Sequence, residues 1–423
     1  MATDMLEKHT FPCEPATIEK ISDVLWYAAE GKDEHIAALR HSTYPIQPDQ
    51  ISWSELRFLG ILGKEKSSCN SKLEKAGMDP GFYISCQGDA LVLIHQDDAH
   101  IQRYVDLCEN KPEILEIHNT SLSTLNVSSL VNLRKLYVVE SKAFSSLEGL
   151  EQLTQLTCLN LCDCRQTPDL AALAALPQLT SLLIQYCDKL INFPSLLELT
   201  QLKLLTLRGF SEPEILAHLE NLTQLTSLEL SRCEKLTTLP SLENLTQLTS
   251  LNLSRCEKLT ALTGLENLTQ LTSLKLSGCI KLTALPGLEN LTQLTSLNLS
   301  GCGKLTALPE LENLTQLTSL NLSWCQKLTA LPSLENLPQL TSLNLSECSR
   351  LTALPSLKNL PQLTSLDLSR CQSLTALTGL ENLTQLTSLN LSECSRLTAL
   401  TGLENLTQLT SLDLSRCPDT RRM

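Results

Sequence analysis

The chain has 423 residues, only 4% of them aromatic, and a formal net charge of −13. So few aromatic side chains argue against a conventional globular core of mixed large residues, and leucine supplies most of the hydrophobic content instead. The acidic balance disfavours a nucleic acid partner, because phosphate backbones are bound by basic surfaces. No apolar run approaches the ~18 residues that a membrane-spanning helix needs, so we expect no membrane insertion.

The first 110 residues show no repetition and predict a small α+β N-terminal domain over 1–110. Apolar residues at helical spacing indicate helices over 17–30, 53–62 and 99–108. The segments "FYISC" (82–86) and "ALVLIH" (90–95) are separated by "QGD", which is typical of a β-hairpin. We expect this domain to cover the exposed end of the repeats that follow it.

The same region carries the alternative that the protein is an enzyme. Six of the seven histidines lie in the first 118 residues, together with Cys13, Cys69, Cys86 and Cys108. A Cys–His pair within 1–110 would make a cysteine hydrolase or a ubiquitin-related enzyme whose repeats select the substrate. The spacings match no familiar nucleophile or zinc pattern, and "GILGKEKSS" departs from a phosphate-binding loop. We therefore predict no catalytic residue, no metal ligand and no cofactor.

A 23-residue repeat fills the rest of the chain. Each unit fits L-x-x-L-x-L-x-x-C, as in Leu248, Leu251, Leu253 and Cys256. The register holds over thirteen units, and a weaker unit at 114–120 precedes them. Alternation in "SLNLS" predicts a strand whose leucines point inward and whose polar residues point outward. The cysteines that mark the regular block are Cys233, Cys256, Cys279, Cys302, Cys325, Cys348, Cys371, Cys394 and Cys417.

This pattern resembles the leucine-rich repeat superfamily over about residues 112–417. The form "LNLSGCGKLTALP" is similar to the cysteine-containing repeats of intracellular-bacterial effectors and of plant disease-resistance receptors. The resemblance implies an α/β solenoid, a horseshoe with a parallel sheet on its concave side. It would hold about 13–14 repeats over 111–417, with a tail at 418–423. On the outer side we expect turns, 3₁₀ pieces or at most one helical turn.

The resemblance also implies a role in protein–protein recognition rather than catalysis. No phosphate loop of the kind found in the plant receptors precedes the repeats, which favours the analogy with a secreted bacterial effector that acts on a host protein. The repeated cysteine would be a buried structural ladder. The first residues do not resemble a secretory signal peptide, so we expect reduced thiols and a cytoplasmic location, the host cytosol for an injected effector.

Candidate partner-binding residues are those that depart from the uniform Ser-Asn-Ser face of the regular block. The units at 114–210 place apolar and aromatic residues at outward positions, which indicates a binding surface or local divergence without a partner. Trp324 is either an anchor or a tolerated edge residue. We predict that a monomer binds a protein partner there. The candidate residues are Lys135, Tyr137, Val139, Leu183, Gln185, Tyr186, Leu204, Arg208 and Trp324.

Overall fold

The computed structural model describes residues 83–86, 90–94, 101–102, 105, 112–118, 122–164, 169–187, 192–210, 212–398, 400 and 402–418. These residues fall into two compact units, one formed by residues up to 156 with 162–164, the other by 157–161 and those from 165 onward. The helices predicted over 17–30 and 53–62 lie outside the described residues, and the domain boundaries at 110 and 417 stay predictions. No helix among the described residues is long and apolar enough to cross a membrane.

Eighteen strands are described, most of them three to five residues long. In chain order they are β1 (Tyr83–Cys86), β2 (Ala90–Ile94), β3 (Ile114–His118), β4 (Thr124–Asn126), β5 (Lys135–Val139), β6 (Ser146–Glu148), β7 (Cys158–Cys162), β8 (Ser181–Gln185), β9 (Leu204–Arg208), β10 (Ser227–Glu229), β11 (Ser250–Asn252), β12 (Ser273–Lys275), β13 (Ser296–Asn298), β14 (Ser319–Asn321), β15 (Ser342–Asn344), β16 (Ser365–Asp367), β17 (Ser388–Asn390) and β18 (Ser411–Asp413).

In the first unit, the predicted hairpin is present and joins the sheet of the first repeat. Strands β1 and β2 pair antiparallel, and β2 pairs parallel with β3, with Ala90 opposite Ile114. Residues 101, 102 and 105 are helical, and Ile101 and Val105 are fully buried on one face. The Gln102 side chain donates to the carbonyl of Asn126 at 3.1 Å and accepts from its N–H at 2.8 Å. The hairpin therefore covers the edge of β3, as expected of a cap.

In the second unit, β7 to β18 follow one another in the sheet in sequence order. Neighbouring strands of the regular block are parallel, and each residue stands opposite its equivalent 23 positions on, as Ser250 stands opposite Ser273. The predicted register is confirmed: Leu251 and Leu253 are fully buried, whereas Asn252 is partly exposed. One unit of leucines cannot offset the conformational entropy of 23 residues, so stacking of neighbours stabilises the whole array. The solenoid fold predicted from the repeat is confirmed.

The outer side of the second unit holds turns and short 3₁₀ segments, as predicted. In the regular block, 3₁₀ turns form only in the units that read "TGLEN", namely at Leu265–Asn267, Leu380–Asn382 and Leu403–Asn405. The preceding glycine has a positive φ, +79° at Gly264. A Cβ atom there would lie 2.6 Å from the backbone nitrogen of Glu243 in the previous unit. Only glycine fits both the left-handed conformation and this close approach, so "TGLEN" and "LPSLEN" units turn differently.

Candidate functional site

The cysteines of the regular block form a buried structural ladder. Each thiol from Cys233 to Cys417 donates to the carbonyl oxygen 26 residues earlier, for example Cys302 to Leu276 at 3.2 Å. The thirteen cysteines from Cys158 to Cys417 are all free thiols. Burial raises the pKa of the Cys302 thiol to about 11 and that of Cys348 to about 12. These two thiols are protonated hydrogen-bond donors at neutral pH, so they support the backbone.

The outward asparagines of the regular block also have a structural role. The Asn298 side-chain oxygen accepts a hydrogen bond from the backbone N–H of Ser300 at 3.0 Å, and Asp367 does the same for Ser369 at 2.9 Å. Such Asx turns end the strands of the regular block that carry asparagine or aspartate at this position. The Ser-Asn-Ser face thus satisfies much of its hydrogen bonding internally. Its uniformity reflects backbone support as well as solubility.

Sequence variation is concentrated at the residue that precedes each ladder position, which we call the turn column. In the second unit its residues are Tyr186, Gly209, Arg232, Arg255, Gly278, Gly301, Trp324, Glu347, Arg370, Glu393 and Arg416. Every one has a positive φ, between +53° and +73°. Its N–H donates to a carbonyl of the next unit, as Trp324 donates to Ser346 at 2.8 Å. The backbone is therefore identical along the column, whereas the side chains project outward and differ.

At one end of the turn column, an aromatic ring and three arginines come together. The Arg208 guanidinium lies over the Tyr186 ring at 5.1 Å from its centroid, and that of Arg232 lies 5.9 Å away. In the turn column, Gly209 lies between Tyr186 and Arg232. A Cβ atom at Gly209 would lie 3.1 Å from the Tyr186 ring. The missing side chain leaves space for the ring and lets two units share it. Both contacts fall within the range of cation–π attraction.

A cavity of about 260 Å³, which we call the arginine hollow, opens beside this ring. It is lined by Arg208, Ser231, Arg232, Asn252, Ser254 and Arg255. The Arg208 Nε atom is buried and lacks a hydrogen-bond partner among the described residues. None of the ion pairs between described residues involves these three arginines. The hollow therefore presents guanidinium groups whose charge no described carboxylate neutralises by direct contact.

At the far end of the turn column, the charged side chains form ion pairs with one another. Arg370 contacts Glu347 at 2.5 Å and Glu393 at 3.3 Å, and Arg416 contacts Glu393 at 2.9 Å. These residues occupy equivalent backbone positions in consecutive units, with the same left-handed conformation as Arg232 and Arg255. The arginines at the two ends therefore share a backbone conformation and differ in charge pairing. Paired charges at this exposure contribute little to stability.

The structure distributes the nine candidate residues over both units. Lys135, Tyr137 and Val139 lie in the first unit; the other six lie in the second. The expectation that Tyr137 and Val139 face outward on an open surface is wrong, because they are 4% and 2% exposed. Strand β5 is covered on both faces, so alternation along it does not separate buried from exposed residues. Lys135 is partly exposed.

In the second unit, Leu183, Gln185, Leu204 and Arg208 are partly exposed, and Tyr186 is 37% exposed. Trp324 is 51% exposed but stands six units after Tyr186 in the turn column. Two of the candidate residues, Tyr186 and Arg208, lie in direct contact. Sequence reasoning did not select Arg232 and Arg255, although their place in the column beside Tyr186 and Gly209 was a usable signal.

Repeated units of 23 residues, each with a leucine core and one strand, define a repeat solenoid, and sequence variation falls at one exposed position of each unit. Comparison with family profiles matches residues 354–423 to Zer-1-like leucine-rich repeats and residues 269–313 to two copies of a leucine-rich repeat. The protein is a leucine-rich repeat protein with cysteine-containing repeats, and its fold is that of a protein-interaction scaffold. No curated protein sequence matches the chain.

Several solved structures are similar to this chain. A leucine-rich repeat protein of Leptospira interrogans is 21% identical with a TM-score of 0.56, covering 79% of this chain and 86% of that one. An internalin (inlF) of Listeria monocytogenes is 27% identical over 67% of this chain and 88% of that one, with a TM-score of 0.47. The functional domain of InlJ from Listeria monocytogenes, which includes a cysteine ladder, is 22% identical. The match covers 70% of this chain and 64% of that one, with a TM-score of 0.45. The Leptospira likeness supports the fold alone.

Proposed function

We propose that this protein is a non-enzymatic recognition protein that binds another protein at the Tyr186 end of the turn column. One observation carries the proposal: Arg208, Arg232 and Arg255 converge on a hollow without ion-pair partners among the described residues, beside a half-exposed tyrosine. Elsewhere on the same face, asparagines satisfy backbone donors and column charges pair with each other. Tyrosine and arginine are the residue types that most often dominate interface energies.

The finer proposal is that the protein is a secreted bacterial effector that acts on a host protein in the host cytosol. The support is the resemblance of "LNLSGCGKLTALP" to effector repeats and the run of cysteines without disulfide bonds. A ladder of thiols that donate to backbone carbonyls suits a reducing compartment. We propose that the protein acts there as a monomer.

Affinity capture from a host-cell lysate tests the binding site. The bait is the full chain as wild type, as the double variant Arg232→Ala/Arg255→Ala, and as Arg370→Ala, which removes an arginine of identical backbone conformation at the far end of the turn column. We expect a protein retained by the wild type and by Arg370→Ala and lost with the double variant. Equal retention by all three baits would refute the proposed site, and light scattering of each bait would show whether it is a monomer.

A further inference from the structure

We infer that the arginine hollow binds a phosphomonoester group carried by a side chain of the partner protein. This inference rests on the proposed function, since it names the chemistry of the ligand at the same site. Three guanidinium groups from consecutive units border one cavity of about 260 Å³ that no acidic side chain lines. Guanidinium forks match the oxygens of phosphate in geometry and charge, which is why arginine clusters read phosphorylated residues.

One donor in the hollow already lacks a partner. The Nε atom of Arg208 is buried and makes no hydrogen bond within the described part of the chain. A buried donor left unsatisfied costs free energy, so a small movement of the Arg208 side chain that brings this N–H to an acceptor of the ligand would be favourable. Ser254 and Asn252 add neutral polar groups to the same lining. An oxyanion with several acceptor oxygens satisfies this arrangement better than an apolar side chain does.

The Tyr186 ring holds the site in place before any ligand arrives. Its face lies against the guanidinium groups of Arg208 and Arg232, at 5.1 and 5.9 Å. Stacking on a ring restricts a guanidinium while leaving the N–H groups at its edge able to donate. The absent side chain at Gly209 makes this shared contact possible. Less side-chain entropy is then lost on binding.

The charge balance around the hollow favours a dianion over a single carboxylate. Glu229 and Lys275 lie on the strands either side of Asn252, so their opposite charges offset each other. Glu229 also accepts a hydrogen bond from the Ser231 hydroxyl at 2.7 Å. None of the described ion pairs offsets the charge of the three arginines. A phosphomonoester carries about −1.5 to −2 at neutral pH and three acceptor oxygens, whereas a carboxylate carries one charge.

The shape of the charged region disfavours a polynucleotide. Beyond Arg255 the turn column continues with Gly278 and Gly301 and then reaches Glu347 and Glu393. A nucleic acid backbone needs a continuous basic track for its regularly spaced phosphates. Within the turn column, the arginines that lie outside the described ion pairs belong to two consecutive units, Arg232 and Arg255. That extent suits one phosphate group on a protein segment.

The test uses the full-length protein and fluorescent glycine–alanine peptides that carry one phosphoserine, one serine or one glutamate at the centre. We expect the phosphoserine peptide to bind at least about tenfold tighter than the other two, and Arg232→Ala or Arg255→Ala to weaken it about tenfold. Inorganic phosphate should compete, and Arg370→Ala should bind like the wild type. Equal binding of phosphoserine and serine peptides would overturn the inference, as would an equal loss with Arg370→Ala.

Further experiments distinguish a phosphoprotein from other ligands that carry phosphate. They also distinguish failure of the phosphate inference from failure of the protein-binding proposal. Tighter, arginine-dependent binding of single-stranded oligouridine or of vesicles containing a phosphoinositide would replace the phosphoprotein with those ligands. Phosphatase treatment of the lysate before capture should abolish retention of the partner. If retention still depends on Arg232 and Arg255 but survives phosphatase, the phosphate inference fails and the protein-binding proposal stands. If retention depends on neither arginine, both fail.

Discussion

The Cys256 thiol donates a hydrogen bond to the carbonyl oxygen of Leu230, with 2.9 Å between sulfur and oxygen. Both residues are fully buried, so water cannot replace this bond. The same contact recurs with a 26-residue separation at each ladder cysteine of the regular block, from Cys233 to Cys417. A single side-chain type therefore joins each strand end to the preceding unit.

Replacing Cys256 with alanine should lower the free energy of unfolding by about 1–2 kcal/mol, because the Leu230 carbonyl loses its donor and a small cavity remains. Cys256→Ser keeps a donor and should cost less than Cys256→Ala. Urea unfolding of the three proteins measures the difference. Glu257→Ala, at the exposed neighbouring position, is the control and should change stability by less than about 0.5 kcal/mol. A Cys256→Ala variant as stable as wild type would show that the thiol contact is dispensable.

Two glycines of the regular block should respond oppositely to the same substitution. Gly264→Ala should cost at least about 2 kcal/mol, because φ is +79° and the new Cβ would lie 2.6 Å from the Glu243 nitrogen. Gly303→Ala should be neutral or slightly stabilising, since nothing lies within 4 Å of a Cβ there. Thermal unfolding of both variants provides the comparison. Similar melting temperatures would contradict the close approach described at Gly264.

The ladder should make the protein sensitive to alkali. The pKa of Cys302 is raised to about 11 by burial, above the value of about 8.5 for an unfolded cysteine. The folded state therefore keeps a proton that the unfolded chain loses, so this stabilisation is complete below about pH 8.5 and disappears as the pH rises towards 11. Between about pH 8 and pH 10, wild type should lose about 2 kcal/mol more stability than Cys302→Ala. Parallel losses in urea titrations at both pH values would contradict this.

At positions of the turn column, glycine should give a more stable protein than residues with a side chain, because the backbone there is left-handed. Trp324 has a φ of +62°, and its N–H donates to Ser346. Trp324→Gly removes the left-handed strain and should be neutral or stabilising by up to about 1 kcal/mol. Trp324→Val should destabilise by about 1–2 kcal/mol, because a β-branched side chain tolerates positive φ poorly. Equal stability of the two variants in urea unfolding would show that column conformation does not limit the choice of residue.

Periodicity alone was sufficient to predict the sheet, the inward leucines and the buried cysteines, because each depends on a two-residue alternation within an array that repeats every 23 residues. It failed at Tyr137 and Val139, since the alternation in β5 does not reveal that both of its faces are covered. The arginine hollow was only half predicted. Arg208 stands before the turn and Arg232 and Arg255 stand in it, so their convergence depends on how consecutive units stack rather than on spacing within one unit.

Because neighbouring units of the regular block pair in the same register, one unit can be removed or added without changing the pairing of the others. Ser273 pairs with Ser296 just as Ser296 pairs with Ser319, and the threonine hydroxyls bond across the same interval, Thr295 to Thr272 and Thr318 to Thr295. Excising residues 271–293 would bring Ser250 opposite Ser296 with the same partners restored. Unequal recombination between such copies can therefore lengthen or shorten the array by whole turns while every junction stays native. The number of repeat units, and with it the length of the array, can therefore change by one unit at a time without altering the residues that contact a partner.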